Sequence, residues 1–346
     1  MKSNNKYSLY NLSMYRGELY GVSMMWIVLH HASLIKYEWS GIFSVFSVGY
    51  LGVEVFLFLS GISLFFSFTA DNSLLHFYIK RILRLFVPIF IILCPYYLWA
   101  FVQQGVSPSQ LFIKLFLNLT TLQFWIKGDA STWFVSMILV AYLIYPMLFR
   151  IVTRKDSIRY HILTAAFLCF VEISICILVQ KTMPALWENI GIALIRFPIF
   201  TVGCFFGPHV YNREKIPFLF VLLCFVLIGP SLAFIIMDTI SKAFIIVLRI
   251  FVGAAMSICL SFLFHIAASQ KLTIINRFFK FLGSFTLEMY LVHILAIILY
   301  RKSIFYVEGS LFRYLVLIIL CLFVSFAYAS LDRKIIGLLK KKILSV

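Results

Sequence analysis

Residues 217–237 read PFLFVLLCFVLIGPSLAFIIM and contain no charged side chain. A helix needs about 20 consecutive, mostly apolar residues to cross a bilayer, so this stretch predicts a membrane-spanning helix. Similar apolar runs on both sides of it, separated by short polar segments, predict ten spans in all. They lie near residues 17–36, 44–68, 85–102, 132–152, 161–180, 190–209, 217–237, 243–267, 281–300 and 311–331.

The composition of the whole chain agrees with this interpretation. Of the 346 residues, 63% are hydrophobic and 12% are charged, whereas soluble domains are about half apolar and about a quarter charged. These values exclude a soluble enzyme, a disordered chain and a small disulfide scaffold. An outer-membrane barrel is also excluded, because its strands alternate apolar and polar residues, whereas the runs in this chain are continuously apolar. The predicted fold class is therefore all-α, a polytopic transmembrane helical bundle of about ten spans.

The spans divide the chain into three parts. Residues 1–15 form a short polar segment, residues 16–331 one transmembrane domain and residues 332–346 a basic tail. Residues 103–131 fit no span and are predicted to form a long outer loop, with a re-entrant or interfacial piece around 111–126. No cleaved signal peptide is expected, because the first apolar run lacks a small-residue cleavage pattern.

The distribution of basic residues predicts the orientation of the bundle. Of the 30 lysines and arginines, 20 lie in alternate segments that include the N-terminal segment and the C-terminal tail. The other loops hold eight, and two lie within spans. Since cytoplasmic loops are enriched in Lys and Arg, both termini are predicted to be cytoplasmic. The formal charge of +17 is interpreted as topology and contact with anionic lipid, and no nucleic-acid partner is expected.

The seven cysteines all lie inside apolar runs. Their spacing is not that of a disulfide framework or a zinc site, so they are interpreted as small core residues and no metal is expected. Ionisable side chains within spans are costly and are functional candidates by default. Glu172, Arg249 and His265 are interpreted as structural, pairing within the bundle or reaching the interface.

The first span carries the most suggestive ionisable residues. It begins after Arg16 and ends at His30 and His31. From Gly17 to His31 a helix rises about 21 Å, so with Arg16 at the cytoplasmic surface the histidines lie beyond the midplane. Imidazole is well suited to removing a proton from a hydroxyl near neutral pH. Neighbouring helical residues point about 100° apart, so only one of the two histidines is expected to face a given pocket.

Two further segments contain charges that need an explanation. Glu54 lies in the second span and requires a basic partner, for which a nearby arginine or histidine is the natural choice. Arg81 and Arg84 are three residues apart and share a helix face. They either mark the cytoplasmic surface or clamp a phosphate, because the guanidinium fork matches phosphate geometry.

Taken in order, these motifs resemble the acyltransferase-3 family of bacterial integral-membrane acyltransferases, whose members acylate hydroxyls on cell-surface sugars. Six short blocks carry the resemblance, which runs from about residue 16 to 331. The blocks are Arg16, Trp26 and His31; Phe56–Gly61; Arg81, Arg84 and Pro88; Trp133, Phe134, Tyr142 and Pro146; Arg196, Pro198, Phe200 and Gly203; Gly283, Thr286, Tyr290, Leu291 and His293. Tyr20 stands where many members have an arginine, eleven residues before the histidine.

The resemblance implies an O-acyltransferase of the bacterial inner membrane. Its donor would be cytoplasmic acyl-CoA, most often acetyl-CoA, and its acceptor a hydroxyl of a cell-surface or lipid-linked glycan. Arg16, Arg81 and Arg84 would then bind the phosphates of CoA. His31 would act as general base or carry the acyl group transiently.

The resemblance also suggests supporting residues around His31. Glu54 or Glu288 is a candidate to orient the imidazole, and Arg196 or Tyr290 to stabilise the oxyanion. His293 enters from the inside on the ninth span and reaches the outer half, so it is expected at a depth similar to that of His31.

A transporter or flippase for a polysaccharide precursor is the alternative function. Ten spans with scattered intramembrane charges suit such a protein equally well. Against it, no internal repeat is visible, and the arginine pair beside the membrane has no obvious purpose in transport. The sequence leaves the oligomeric state open.

Overall fold

The computed structural model describes residues 8–237 and 240–344. Helices dominate this part of the chain, together with one isolated bridge between Ser8 and Lys215. The α-helices are α1 (Asn11–Met14), α2 (Arg16–His30), α3 (Gly52–Ala70), α4 (Leu74–Gln103), α5 (Pro108–Leu119), α6 (Leu122–Lys127), α7 (Trp133–Val152), α8 (Ile158–Thr182), α9 (Pro184–Leu194), α10 (Phe197–Tyr211), α11 (Phe218–Met237), α12 (Lys242–Ser269), α13 (Thr273–Leu282), α14 (Thr286–Arg301) and α15 (Leu311–Leu344). The predicted all-α class is confirmed.

Nine helical segments within the described residues are long and apolar enough to cross a membrane. The first predicted span is not among them, because α2 ends at His30 and continues as a 3-10 helix over His31–Ile35. A second 3-10 segment, Gly41–Leu51, leads directly into α3. With α2 and its extension counted as a crossing, the number agrees with the predicted bundle of about ten spans.

The segment between α4 and α7 consists of two short helices, α5 and α6. Pro108 occupies the first turn of α5, where its missing N–H costs nothing. Gly128 ends α6 with a φ of 70°, a conformation that glycine adopts without strain. The stretch predicted as a long loop with a re-entrant or interfacial piece is therefore helical over most of its length.

Segments predicted to be cytoplasmic lie together at one end of the bundle. The backbone N–H of Leu9 donates to the carbonyl of Glu214 at 2.9 Å, and Gly17 packs against Lys280. At the other end, in loops predicted to be outside, Lys36 and Glu308 form an ion pair of 3.1 Å. Near the C-terminal end, Lys340 lies within electrostatic range of Lys80, Arg81 and Arg84, so both ends of the described chain lie on the same face, as an even number of crossings requires.

Glycines allow the central helices to approach closely. Helices α3 and α10 touch at Gly61 and Gly203, where a Cβ on Gly203 would overlap the carbonyl of Phe58. Helices α2 and α13 meet in the same way, since a Cβ on Gly21 would overlap the carbonyl of Phe279. Small residues at such crossings let backbones pack in the absence of a hydrophobic driving force.

The start of α4 is fixed by the loop that precedes it. The Ser73 hydroxyl caps the helix by accepting from the N–H of His76 at 3.4 Å. Lys80 donates to Asp71 at 2.7 Å, and this hydrogen bond lowers the pKa of the Asp71 carboxyl to about 2. The cap and the ion pair place Arg81 and Arg84 one to two turns into the helix.

Candidate functional site

A cavity of about 840 Å³ lies between the central helices. Residues of α2 from Arg16 to His30 line it, so the cavity extends along about 21 Å of that helix. Six of the predicted site residues line the cavity: Arg16, His31, Arg81, Arg84, Arg196 and Tyr290. The other two, Glu54 and His293, lie behind the wall and contact residues that line it.

The imidazoles of His31 and His293 form a hydrogen bond between Nδ1 of His31 and Nε2 of His293, 2.9 Å long. His293 is 2% exposed, and its Nδ1 lies 2.7 Å from the carbonyl of Met289. A carbonyl only accepts, so this Nδ1 carries a proton. In a neutral His293, Nε2 then accepts, and His31 donates through Nδ1. The lone pair of His31 is left on Nε2, which bonds to none of the described residues.

His30 also lines the cavity, so the expectation that only one of the two histidines faces a given pocket is wrong. The two ring centroids are 5.4 Å apart, and His30 packs edge-on against Tyr50. The physical reason is the size of the cavity, which spreads around the end of α2 and so reaches both rings although they point in different directions.

Glu54 lies between two arginines. Nε of Arg249 donates to Oε1 at 2.8 Å, and Nε of Arg196 lies 3.3 Å from Oε2. This confirms that Glu54 has a basic partner and that Arg249 pairs within the bundle. It corrects the suggestion that Glu54 or Glu288 orients His31, because both Glu54 oxygens face guanidinium groups and the imidazole is held by His293.

Arg196 presents the unmatched charge of this cluster to the cavity. Glu54 is 1% exposed and Arg196 3% exposed, so two guanidinium groups share one carboxylate in a dehydrated setting. Nη1 of Arg196 donates to the carbonyl of Ile192 at 2.6 Å, and its guanidinium carbon lies 4.6 Å from the centre of the Trp133 ring. Among the described residues, none accepts from Nη2. A buried cation in this position favours an anion in the cavity.

Tyr290 is less suited than Arg196 to stabilise an oxyanion. Its hydroxyl donates to the carbonyl of Ser131 at 3.1 Å, so its single proton is already engaged. The ring stands edge-on to Phe134 and His293. Tyr290 therefore shapes the wall beside the histidine pair.

The opposite end of the cavity is cationic. Nη1 of Arg16 donates to the Ser63 hydroxyl at 3.0 Å. The Arg81 guanidinium lies over the rings of Phe77 and Tyr142 at 5.4 and 5.6 Å, and its buried Nε has no hydrogen-bond partner in the described part of the chain. Arg84 is exposed.

Lys280 also lines the cationic end, although no sequence motif points to it. It reaches the cavity because α13 crosses α2 at Gly17, whose added Cβ would meet Cγ of Lys280 at 3.3 Å. The only signal in the sequence is its position in a segment predicted to be cytoplasmic, at the same depth as Arg16.

The fold and the cavity define a multi-pass membrane protein with a buried polar site between its helices. A family model described as an acyltransferase domain, that of the acyltransferase-3 family, matches residues 20–330. The chain therefore belongs to the acyltransferase-3 family and is a membrane acyltransferase. No curated protein and no solved structure gives a significant match. Family membership does not favour the transporter alternative.

Proposed function

We propose that the protein is an O-acyltransferase of the bacterial inner membrane. It moves an acyl group, in the first instance acetyl, from cytoplasmic acyl-CoA to a hydroxyl of a cell-surface or lipid-linked glycan. The observation that supports this most strongly is the composition of one cavity, with the imidazole of His31 at one end and the side chains of Arg16, Arg81, Arg84 and Lys280 at the other.

The cationic end suits the phosphates of CoA. Arg16, Arg81, Arg84 and Lys280 provide four positive charges around one opening, and Arg side chains bind phosphate through paired hydrogen bonds. The buried, unpartnered Nε of Arg81 is a donor that a ligand oxygen would satisfy. Beyond the opening, Phe56, Leu64 and Leu85 provide an apolar wall for the uncharged arm of CoA.

His31 is assigned the role of general base. Its free Nε2 removes the proton of the acceptor hydroxyl while that oxygen bonds to the thioester carbonyl carbon. The carbon–sulfur bond then breaks, and the leaving sulfur takes the proton back from Nε2. His293 is a positioning residue, since it holds the tautomer that leaves Nε2 of His31 free.

Arg196 is assigned to the negative charge that develops on the carbonyl oxygen. Arg196 lines a cavity biased towards an anion by the unequal charges of the Glu54 cluster, and its Nη2 is left to donate to a ligand. Preorganised donors of this kind are typically the largest single contribution to acyl-transfer catalysis. Glu54 keeps the guanidinium in place without touching the substrate.

The experiment compares the acetyl content of cell-surface glycan, by proton NMR, in cells with the gene deleted and then complemented. Wild type should restore acetyl signals that are lost on deletion, and His31→Ala should not restore them at equal protein level in the membrane. Unchanged acetyl signals after deletion would contradict the assignment of acetyl transfer to a surface glycan.

A further inference from the structure

A second hollow, of about 780 Å³, lies on the outside of the bundle between α4, α5 and α15. Its lining is apolar apart from one threonine. The residues are Ile82, Leu83, Phe86, Val87, Ile89, Phe90, Ile91, Cys94, Phe112, Leu115, Phe116, Leu119, Thr120, Ile335 and Leu339. We refer to these residues together as the α4 groove. It is separate from the catalytic cavity, because Arg81, Arg84 and Leu85 face the other side of α4.

The dimensions of the α4 groove match a lipid acyl chain. From Ile82 to Cys94, α4 rises about 18 Å, slightly more than one leaflet of a hydrocarbon core roughly 30 Å thick. Exposed aromatic side chains at Phe90, Phe112 and Phe116 give the walls a large apolar area. Because α4 is a membrane-spanning helix, the groove opens towards the acyl chains of the bilayer.

The cytoplasmic end of the α4 groove is positively charged. Lys340 directly follows the lining residue Leu339 and lies within electrostatic range of Lys80, Arg81 and Arg84. Lys80 is paired with Asp71, but among the described residues no carboxylate pairs with Lys340. Clusters of basic residues just cytoplasmic of a membrane helix attract anionic lipid headgroups.

We infer that the α4 groove binds an anionic phospholipid of the cytoplasmic leaflet. One acyl chain lies along α4 from Ile82 to Cys94, and the headgroup phosphate lies beside Lys340 and Lys80. The lipid covers the side of α4 opposite Arg81 and Arg84, so it stabilises the helix that carries the cationic end of the catalytic cavity. This site is independent of the proposed acyl-transfer chemistry.

The first test measures lipid retained by the full-length protein in native mass spectrometry. The protein is released from nanodiscs of equimolar phosphatidylglycerol and phosphatidylcholine with identical chains. Wild type should retain the anionic lipid about fivefold over the zwitterionic one, as one lysine contact at a membrane surface allows. Lys340→Gln should abolish this preference. Lys342→Gln, which removes the same charge from an exposed position on the same helix, should keep it.

The groove itself is tested by filling it. Cys94→Trp should lose the retained lipid, whereas Leu227→Trp, on the exposed side of α11, should keep it. Equal retention by these two variants, or an unchanged preference in Lys340→Gln, would overturn the inference. So would a predominance of zwitterionic lipid, or a second copy of the chain seated on α4 in place of lipid.

A second measurement needs no variant. Cys94 is half-buried, whereas the other six cysteines are buried, so it is the cysteine most open to alkylation in delipidated protein. Adding phosphatidylglycerol should slow its alkylation by N-ethylmaleimide several-fold more than adding phosphatidylcholine. Equal protection by the two lipids, or none by either, would contradict a site for anionic lipid.

Discussion

His31 and His293 are 262 positions apart in the sequence, yet Nδ1 of the first lies 2.9 Å from Nε2 of the second. The hydrogen bond joins the residue that directly follows α2 to the middle of α14. A second hydrogen bond runs from Nδ1 of His293 to the Met289 carbonyl. Nε2 of a neutral His293 therefore accepts, and Nδ1 of His31 donates to it. The orientation of the proposed catalytic imidazole therefore depends on how two distant helices pack.

Removing the nitrogen of His293 that accepts the hydrogen bond from His31 should slow catalysis without weakening the binding of acyl-CoA. In His293→Leu, Nδ1 of His31 loses its partner and the productive tautomer is no longer favoured, so kcat should fall roughly 100-fold with KM for acyl-CoA little changed. His293→Gln places an amide near the position of Nε2 and should restore most of the activity. Steady-state kinetics of the two purified variants check this, and equal activity in both would show that the hydrogen bond has no positioning role.

Arg81→Gln should raise KM for acyl-CoA about 10-fold or more, because a charge-assisted hydrogen bond to phosphate is lost. The value of kcat should be nearly unchanged, since Arg81 lies at the far end of the cavity from His31. Arg154→Gln is the matched control, as Arg154 is a predicted cytoplasmic arginine that does not line the cavity. Equal KM values for the two variants would contradict phosphate binding by Arg81 and would leave it only the role of marking the cytoplasmic surface.

Glu54→Gln should destabilise the protein strongly, because it leaves Arg196 and Arg249 buried together without a counter-charge. The expected loss in the free energy of unfolding is about 3–5 kcal/mol. The double variant Glu54→Gln/Arg249→Gln restores the original net charge of the cluster and should be more stable than Glu54→Gln alone. Thermal denaturation in detergent measures both, and a double variant no more stable than Glu54→Gln would rule out a coupled charge cluster.

The glycine contact between α3 and α10 predicts a stability difference between two similar variants. Gly203→Ala forces a methyl group against the Phe58 carbonyl and should cost about 1–3 kcal/mol. Gly229→Ala adds the same group to α11, where no atom lies within 4 Å of the new Cβ, so it should be neutral or slightly stabilising. Similar melting temperatures for the two variants would contradict the close helix approach.

The apolar runs were sufficient to predict the membrane helices, since a run such as 217–237 has no other stable environment. The depth of His31 and His293 also followed from helical rise along their spans. The need of Glu54 for a basic partner followed from the cost of a lone charge in the membrane. These features depend on local sequence and on the bilayer.

Features that depend on packing between distant segments were not predicted. The pairing of His31 with His293 requires α14 to lie against the end of α2, which no local pattern encodes. Lys280 reaches the cavity only because α13 crosses α2 at Gly17. His30 joins His31 in the cavity because the cavity spreads around the end of α2, whereas the helical pattern alone favoured only one of them.

In the proposed reaction, the cavity holds the thioester of an acyl-CoA from the cytoplasmic side beside His31, which takes the proton of the acceptor hydroxyl. The most direct measurement supplies radiolabelled acetyl-CoA to sealed inside-out and right-side-out vesicles and follows label in the glycan fraction. With wild type, transfer should occur only in inside-out vesicles; it should vanish in His31→Ala and persist in His76→Ala, whose histidine contacts Asp71 outside the cavity. Equal transfer in both vesicle orientations, or near-normal transfer by His31→Ala, would contradict this role of the cavity and of His31.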